Sequence, residues 1–108
     1  MSNHTSFNPR MHAIHEARGI ILDFLNAVYP NGLSEEQIID AMLDLDDPQE
    51  PSVTKRDLAY LKARELVNRD VQDHLFKQKT KVVRYTLTAK GEHFVQLDKP
   101  WDRLESDF

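Results

Sequence analysis

The stretch Ser52 to Asp70, SVTKRDLAYLKARELVNRD, concentrates the side chains best suited to chemistry on a polyanion. Ser52, Thr54, Lys55, Arg56 and Tyr60 supply hydrogen-bond donors, and Ala59 and Ala63 keep the space between them low. A helix carrying such a side fits the major groove of a duplex, where base edges present a readable donor and acceptor code. Shortly after come Lys77, Lys79 and Lys81. Lysines in that position suit phosphate contacts, which give affinity and register without reading sequence. The bland alternative is a solvated helix beside a solubilising loop.

Other chemistries find less support. His12 and His15 are three residues apart, but a zinc site needs three or four ligands, so surface histidines and no metal are expected. Asp44, Asp46 and Asp47 lack the glycine and terminal glutamate of a calcium loop. There is no cysteine, hence neither disulfides nor thiolate chemistry. No glycine-rich phosphate loop, serine elbow or paired-carboxylate motif is present, so neither an enzyme nor a cofactor is expected.

Net charge is -4 over 108 residues, a balance that by itself disfavours a nucleic-acid partner. The distribution says otherwise. Residues 1–51 hold two basic and nine acidic side chains, net -7; residues 52–90 hold ten and four, net +6; residues 91–108 hold two and five, net -3. A basic middle is enclosed by acidic ends. No run of 18 apolar residues and no apolar leader segment occur, so a cytoplasmic protein is expected.

The elements that must position these residues follow from periodicity. Residues 1–12 are polar and aperiodic and read as an arm. Ile14, Ala17, Ile21, Phe24, Leu25 and Val28 have helical spacing, and Ile20 and Leu22 off that stripe predict a helix covered on more than one side. Pro30 and Gly32 stop it. A second helix opens at LSEEQI, with Ser34 and Gln37 as a capping box, Leu33 and Ile38 as a staple, and Ile38, Met42 and Leu45 as its stripe. Asp47 to Pro51 end it.

The third helix takes Ser52 as its expected N-cap, with Thr54 and Asp57 as a second register. On a helical wheel Thr54, Leu58 and Leu61 share one side; Ser52, Arg56, Ala59 and Ala63 lie opposite, flanked by Lys55 and Tyr60. VVRYTLT alternates as a strand, VNRDVQDHLF pairs with it more weakly, and Lys77 to Lys81 form the hairpin tip. Thr88 caps a fourth helix, and Pro100 predicts a kink or two successive helices.

The order helix, helix, helix, hairpin, helix resembles the winged helix-turn-helix superfamily, in the manner of MarR, ArsR and PadR-like bacterial regulators. SVTKRDLAYLKARELVNRD is similar to a recognition helix running into the first wing strand, and RYTLTAKGEHFV to the returning strand with its Y-x-L-T-x-x-G ending. The resemblance covers residues 13–95. It implies a mainly α fold with a small β-hairpin (α+β): a three-helix core, a wing and a C-terminal helix. Residues 13–96 would be the domain and 97–108 an extension.

By resemblance, Lys55, Arg56 and Tyr60 match base-reading positions. The full expected set on the third helix is Ser52, Thr54, Lys55, Arg56, Ala59 and Tyr60, with Lys77, Lys79 and Lys81 on the wing. Trp101, Leu104 and Phe108 are more apolar bulk than a small core needs and suit a homodimer contact. The expected function is sequence-specific binding of double-stranded DNA by a homodimeric transcriptional regulator. The alternative is a winged-helix protein–protein module without a DNA role, which the acidic turn at Asp46, Asp47 and Glu50 favours.

Overall fold

A computed structural model describes residues 8–74, 76 and 80–106 of the chain. The first helix, α1 (Pro9–Val28), starts before its apolar period does. The Asn8 side chain accepts from the Arg10 and Met11 N–H groups, and Pro9 takes the first helical position, where a missing N–H costs nothing. Residues 9–12 therefore belong to the helix rather than to an arm. Their polarity reflects exposure, not lack of structure. Ile21, Leu22 and Leu25 are fully buried and Ile20 is half-buried, the two-sided cover that Ile20 and Leu22 predicted.

A three-residue strand, β1 (Gly32–Ser34), follows. It leads directly into α2 (Glu35–Leu43), whose capping box is formed: Ser34 Oγ accepts from Gln37 N–H at 3.0 Å, and Gln37 Oε1 accepts from Ser34 N–H at 2.9 Å. The helix stops at Leu43, so Leu45 packs on the core from the connection rather than from the helical stripe.

The next helix, α3 (Pro51–Ala63), begins earlier than expected. Glu50, not Ser52, is its N-cap, and Pro51 is its first residue. Proline breaks a helix only from inside; at the first position its fixed φ favours the start. The helix ends in a Schellman turn, with Leu66 N–H donating to Leu61 O and Glu65 N–H to Lys62 O. Glu65 occupies the left-handed region there, at φ 64°.

Two antiparallel strands, β2 (Val67–Asp73) and β3 (Lys81–Leu87), then pair from Val67↔Leu87 to Asp73↔Lys81. β1 pairs on the other side of β3, giving a three-stranded sheet in the order β1-β3-β2 where the sequence suggested a hairpin alone. Beyond Val67 every residue of β2 is exposed, so the hairpin projects from the core as a wing. Two short helices close the chain, α4 (Ala89–Gln96) and α5 (Trp101–Ser106), separated by a turn with Asp98 and Lys99 in left-handed conformation. The two-helix outcome at Pro100 is the one adopted.

The core draws on every helix and on the sheet: Leu22 and Leu25, Ile38 and Met42, Leu58 and Leu61, Tyr85 and Leu87, Phe94 and Leu104. Among the described residues, no helix is long and apolar enough to cross a membrane.

Candidate nucleic-acid interface

Helix α3 has an inner and an outer side, and the boundary falls close to the helical-wheel prediction. Ser52, Lys55, Arg56, Ala59 and Ala63 are exposed; Thr54, Leu58 and Leu61 are fully buried. Thr54 therefore leaves the expected DNA-contact set. It lies on the core side of the helix, where its hydroxyl donates to Gln49 Oε1 at 2.7 Å.

The inner side also holds a charge. Asp57 is fully buried, and its Oδ1 accepts from Arg18 Nε at 3.0 Å and from Arg56 Nη2 at 3.3 Å. Its Oδ2 accepts from Gln49 Nε2 at 3.2 Å. A buried carboxylate is tolerated only when paired and hydrogen-bonded, and here both oxygens are used. Arg18, itself buried, projects from α1 and lays its guanidinium 3.7 Å from the Tyr60 ring centroid; that of Arg64 lies 5.1 Å from the same ring. Tyr60 is thus half-buried between two cations.

Sequence reasoning missed Arg18, Gln49 and Asp57 as a group. A signal was present. At 100° per residue, Asp57 falls next to Leu61 at the edge of the Thr54, Leu58 and Leu61 stripe on the wheel of α3, and Arg18 falls between Leu22 and Leu25 on that of α1. Two opposite charges, each on an apolar stripe, are the mark of a buried pair.

The acidic connection before α3 is divided. Asp46 and Asp47 line a cleft with Ala13, Glu16 and Ala17 of α1. Glu50 is exposed at the N-terminus of α3 and makes no capping hydrogen bond through its side chain.

On the wing, Lys81 is exposed and ion-paired with Asp73 directly across the hairpin. Asp70 accepts from Gln72 at 2.8 Å. Lys77 and Lys79 lie outside the described residues. Arg84 points back, donating to Gly32 O at 3.0 Å.

At the C-terminal end, Leu104 is buried in the chain's own core. Trp101 stacks on His15 of α1, with centroids 5.1 Å apart and planes at 12°, and meets Phe94 edge-on at 4.8 Å. These two residues bind α5 to α1 and α4, so Leu104 is not free for the expected dimer contact and Trp101 is only partly so. Phe108 lies outside the described residues. Among the described residues, no group of three histidine or acidic side chains is arranged to hold a metal.

No protein-family model and no curated protein sequence matches the chain. Solved structures do. A PadR family transcription regulator from Clostridium difficile R20291 superposes with a TM-score of 0.63 at 13% identity, covering 84% of this chain and 91% of that one. S. aureus MepR in its DNA-binding conformation gives 0.60 at 23% identity, covering 85% of this chain and 64% of MepR. A PadR family transcriptional regulator from Eggerthella lenta gives 0.60 at 12% identity, covering 91% and 85%. These likenesses, with three helices, a β-hairpin wing and α3 running into it, identify the chain's fold as the winged helix-turn-helix.

Proposed function

We propose that the protein is a transcriptional regulator that binds double-stranded DNA with sequence preference. The observation that carries the reading is the outer side of α3, where Ser52, Lys55, Arg56 and Ala59 form an exposed, low, donor-bearing strip at the helix N-terminal half. That half is the part of a recognition helix that meets base edges. Lys55 and Arg56 face the groove, Ala59 permits close approach, and Tyr60 lies at the edge of the contact. The wing lysines Lys77, Lys79 and Lys81 take the backbone. A homodimer presents two such helices to half-sites about one duplex turn apart. A cytoplasmic setting belongs to the same reading, and no cofactor or catalytic step is invoked.

Selection of binders from a random duplex library, read at two salt concentrations, tests this. A recovered motif, with binding that falls steeply as salt rises, is expected. Sedimentation with and without the recovered duplex reads the oligomeric state, with two protomers per site expected. Recovery of no motif at either salt concentration overturns the reading.

A second reading is favoured by the Asp73–Lys81 pair, which neutralises one wing lysine. In it the basic surface meets an acidic protein partner. It predicts salt-sensitive protein binding and no motif.

A further inference from the structure

Arg56 is the arginine of α3, and it is not a free surface side chain. Its Nη2 is 3.3 Å from Asp57 Oδ1, while its side chain remains 54% exposed. One edge of the guanidinium is held and the remainder of the fork faces solvent. The holder is itself fixed from two further directions. Arg18 reaches Asp57 from α1, Gln49 from the connection before α3, and Thr54 in turn fixes Gln49.

Two guanidinium groups against one carboxylate leave the cluster with a net positive charge. The carboxylate therefore aims Arg56 without cancelling the local charge. A long side chain loses rotamer freedom when immobilised, and one already tethered loses less. Lys55 is exposed as well, but an ammonium acts as a point charge and does not match a base edge with two donors.

We propose that Arg56 sets the base preference, donating two hydrogen bonds to O6 and N7 of a guanine in the major groove, and that Asp57 is the positioning residue that aims it. The proposal rests on the DNA-binding reading above and goes beyond it by assigning the base, the reader and the holder.

The test uses the full chain, the duplex selected by the wild type and a scrambled duplex, followed by fluorescence anisotropy. Each guanine of the selected duplex is replaced in turn by 7-deazaguanine, which lacks the N7 acceptor. For the wild type, one guanine per half-site is expected to lower affinity about tenfold on replacement, within the range of a bidentate base contact. Arg56→Lys is expected to bind the selected duplex equally weakly with and without that replacement. Its binding to the scrambled duplex should stay within about twofold of wild type, since charge is retained.

Asp57→Asn should lose the same guanine sensitivity when Arg56 is present and cause no further loss in the Arg56→Lys background. If Asp57→Asn does not fold, Gln49→Ala, which removes one donor to Asp57, replaces it with the same expectation. Equal guanine sensitivity in wild type and Arg56→Lys overturns the proposal while leaving the DNA-binding reading intact. Uniform loss on both duplexes and in both backgrounds overturns the positioning role of Asp57. A wild type that selects no duplex removes the reading and the proposal together.

Discussion

Asp57 couples three separate parts of the chain through one buried carboxylate, and its partners define what its loss would do. Truncating one member of a buried charge set leaves the others desolvated and unpaired, a change that costs about 3–5 kcal/mol. Asp57→Ala strands Arg18 under the core and releases Gln49, and is expected to lose that much in urea unfolding. Domains of this size have about 5–15 kcal/mol in total, so the variant should be visibly destabilised. A loss below about 1 kcal/mol would mean that Arg18 finds water or another partner. Glu65 offers the opposite case. It holds the left-handed position of the α3 Schellman turn at φ 64°, a conformation that costs a residue with a Cβ about 1–2 kcal/mol. Its side chain is 82% exposed and its Lys90 contact is long at 4.0 Å, so little is lost with it. Glu65→Gly should therefore raise the thermal midpoint, by up to about 1 kcal/mol of added stability once the greater freedom of glycine in the unfolded chain is subtracted.

At the level of elements, the Y-x-L-T-x-x-G segment acts as a joint. Thr88 Oγ1 accepts from Gly91 N–H at 2.8 Å and donates to Glu65 O at 2.7 Å, while Thr88 N–H donates to Leu66 O at 3.1 Å. One threonine thus caps α4 and ties it to the end of α3. The glycine is required because a Cβ at position 91 would lie 2.1 Å from Leu66 O and 2.9 Å from a Leu87 methyl. Gly91→Ala must push α4 away from that backbone, and a loss of at least about 1–3 kcal/mol is expected on chemical denaturation. Tyr85 sits at the other end of the motif, where burial, reinforced by Glu35, raises its hydroxyl above the usual tyrosine range, with Arg69 acting in the opposite sense. A raised value favours the neutral phenol in the folded state. Its contribution is complete below pH about 10 and is lost as pH rises further, through the folded value. Urea midpoints of wild type and Tyr85→Phe should run parallel below pH 10, and the wild type should fall relative to the variant above it.

These joints also explain what was readable from sequence. The capping box at Ser34 and the Thr88 cap use partners three residues apart, so local order reveals them. The strand β1 was not readable. Three residues carry no alternation, and only the distant partner β3 makes them a strand. The start of α3 is not fixed by sequence because a proline marks equally the stop of one helix and the first residue of the next, which is the place Pro51 takes. Of the α3 contact set, the wheel separated inside from outside well but left Thr54 on the donor list, because a hydroxyl reads as polar whichever way it faces. The Arg18–Asp57 pair spans 39 residues, and spacing alone does not join them.

For the molecule as a whole, the decisive quantity is how a chain of net charge -4 responds to salt. Bulk charge predicts repulsion from a duplex, with affinity rising as salt screens it. Local charge predicts the reverse, because each phosphate neutralised by a lysine or arginine releases counterions. The acidic residues lie mainly before α3 and after α4 in the chain; Asp46 and Asp47 line a cleft with α1 residues, whereas Glu50 is exposed at the start of α3. If Lys55 and two wing lysines engage about three phosphates per protomer, log affinity should fall with log salt at a slope of about -2.7 per protomer, and twice that for a dimer. Asp73→Asn removes the carboxylate opposite Lys81 and should steepen the slope by up to about one unit per protomer, because Lys81 then becomes available to the backbone. The exposed pair itself contributes only about 0–1 kcal/mol to stability, so the fold should be unchanged within that margin. An affinity that is flat or rises between 50 and 200 mM salt would place the acidic ends, not the wing and α3, in control of the encounter, and would favour a protein partner over DNA.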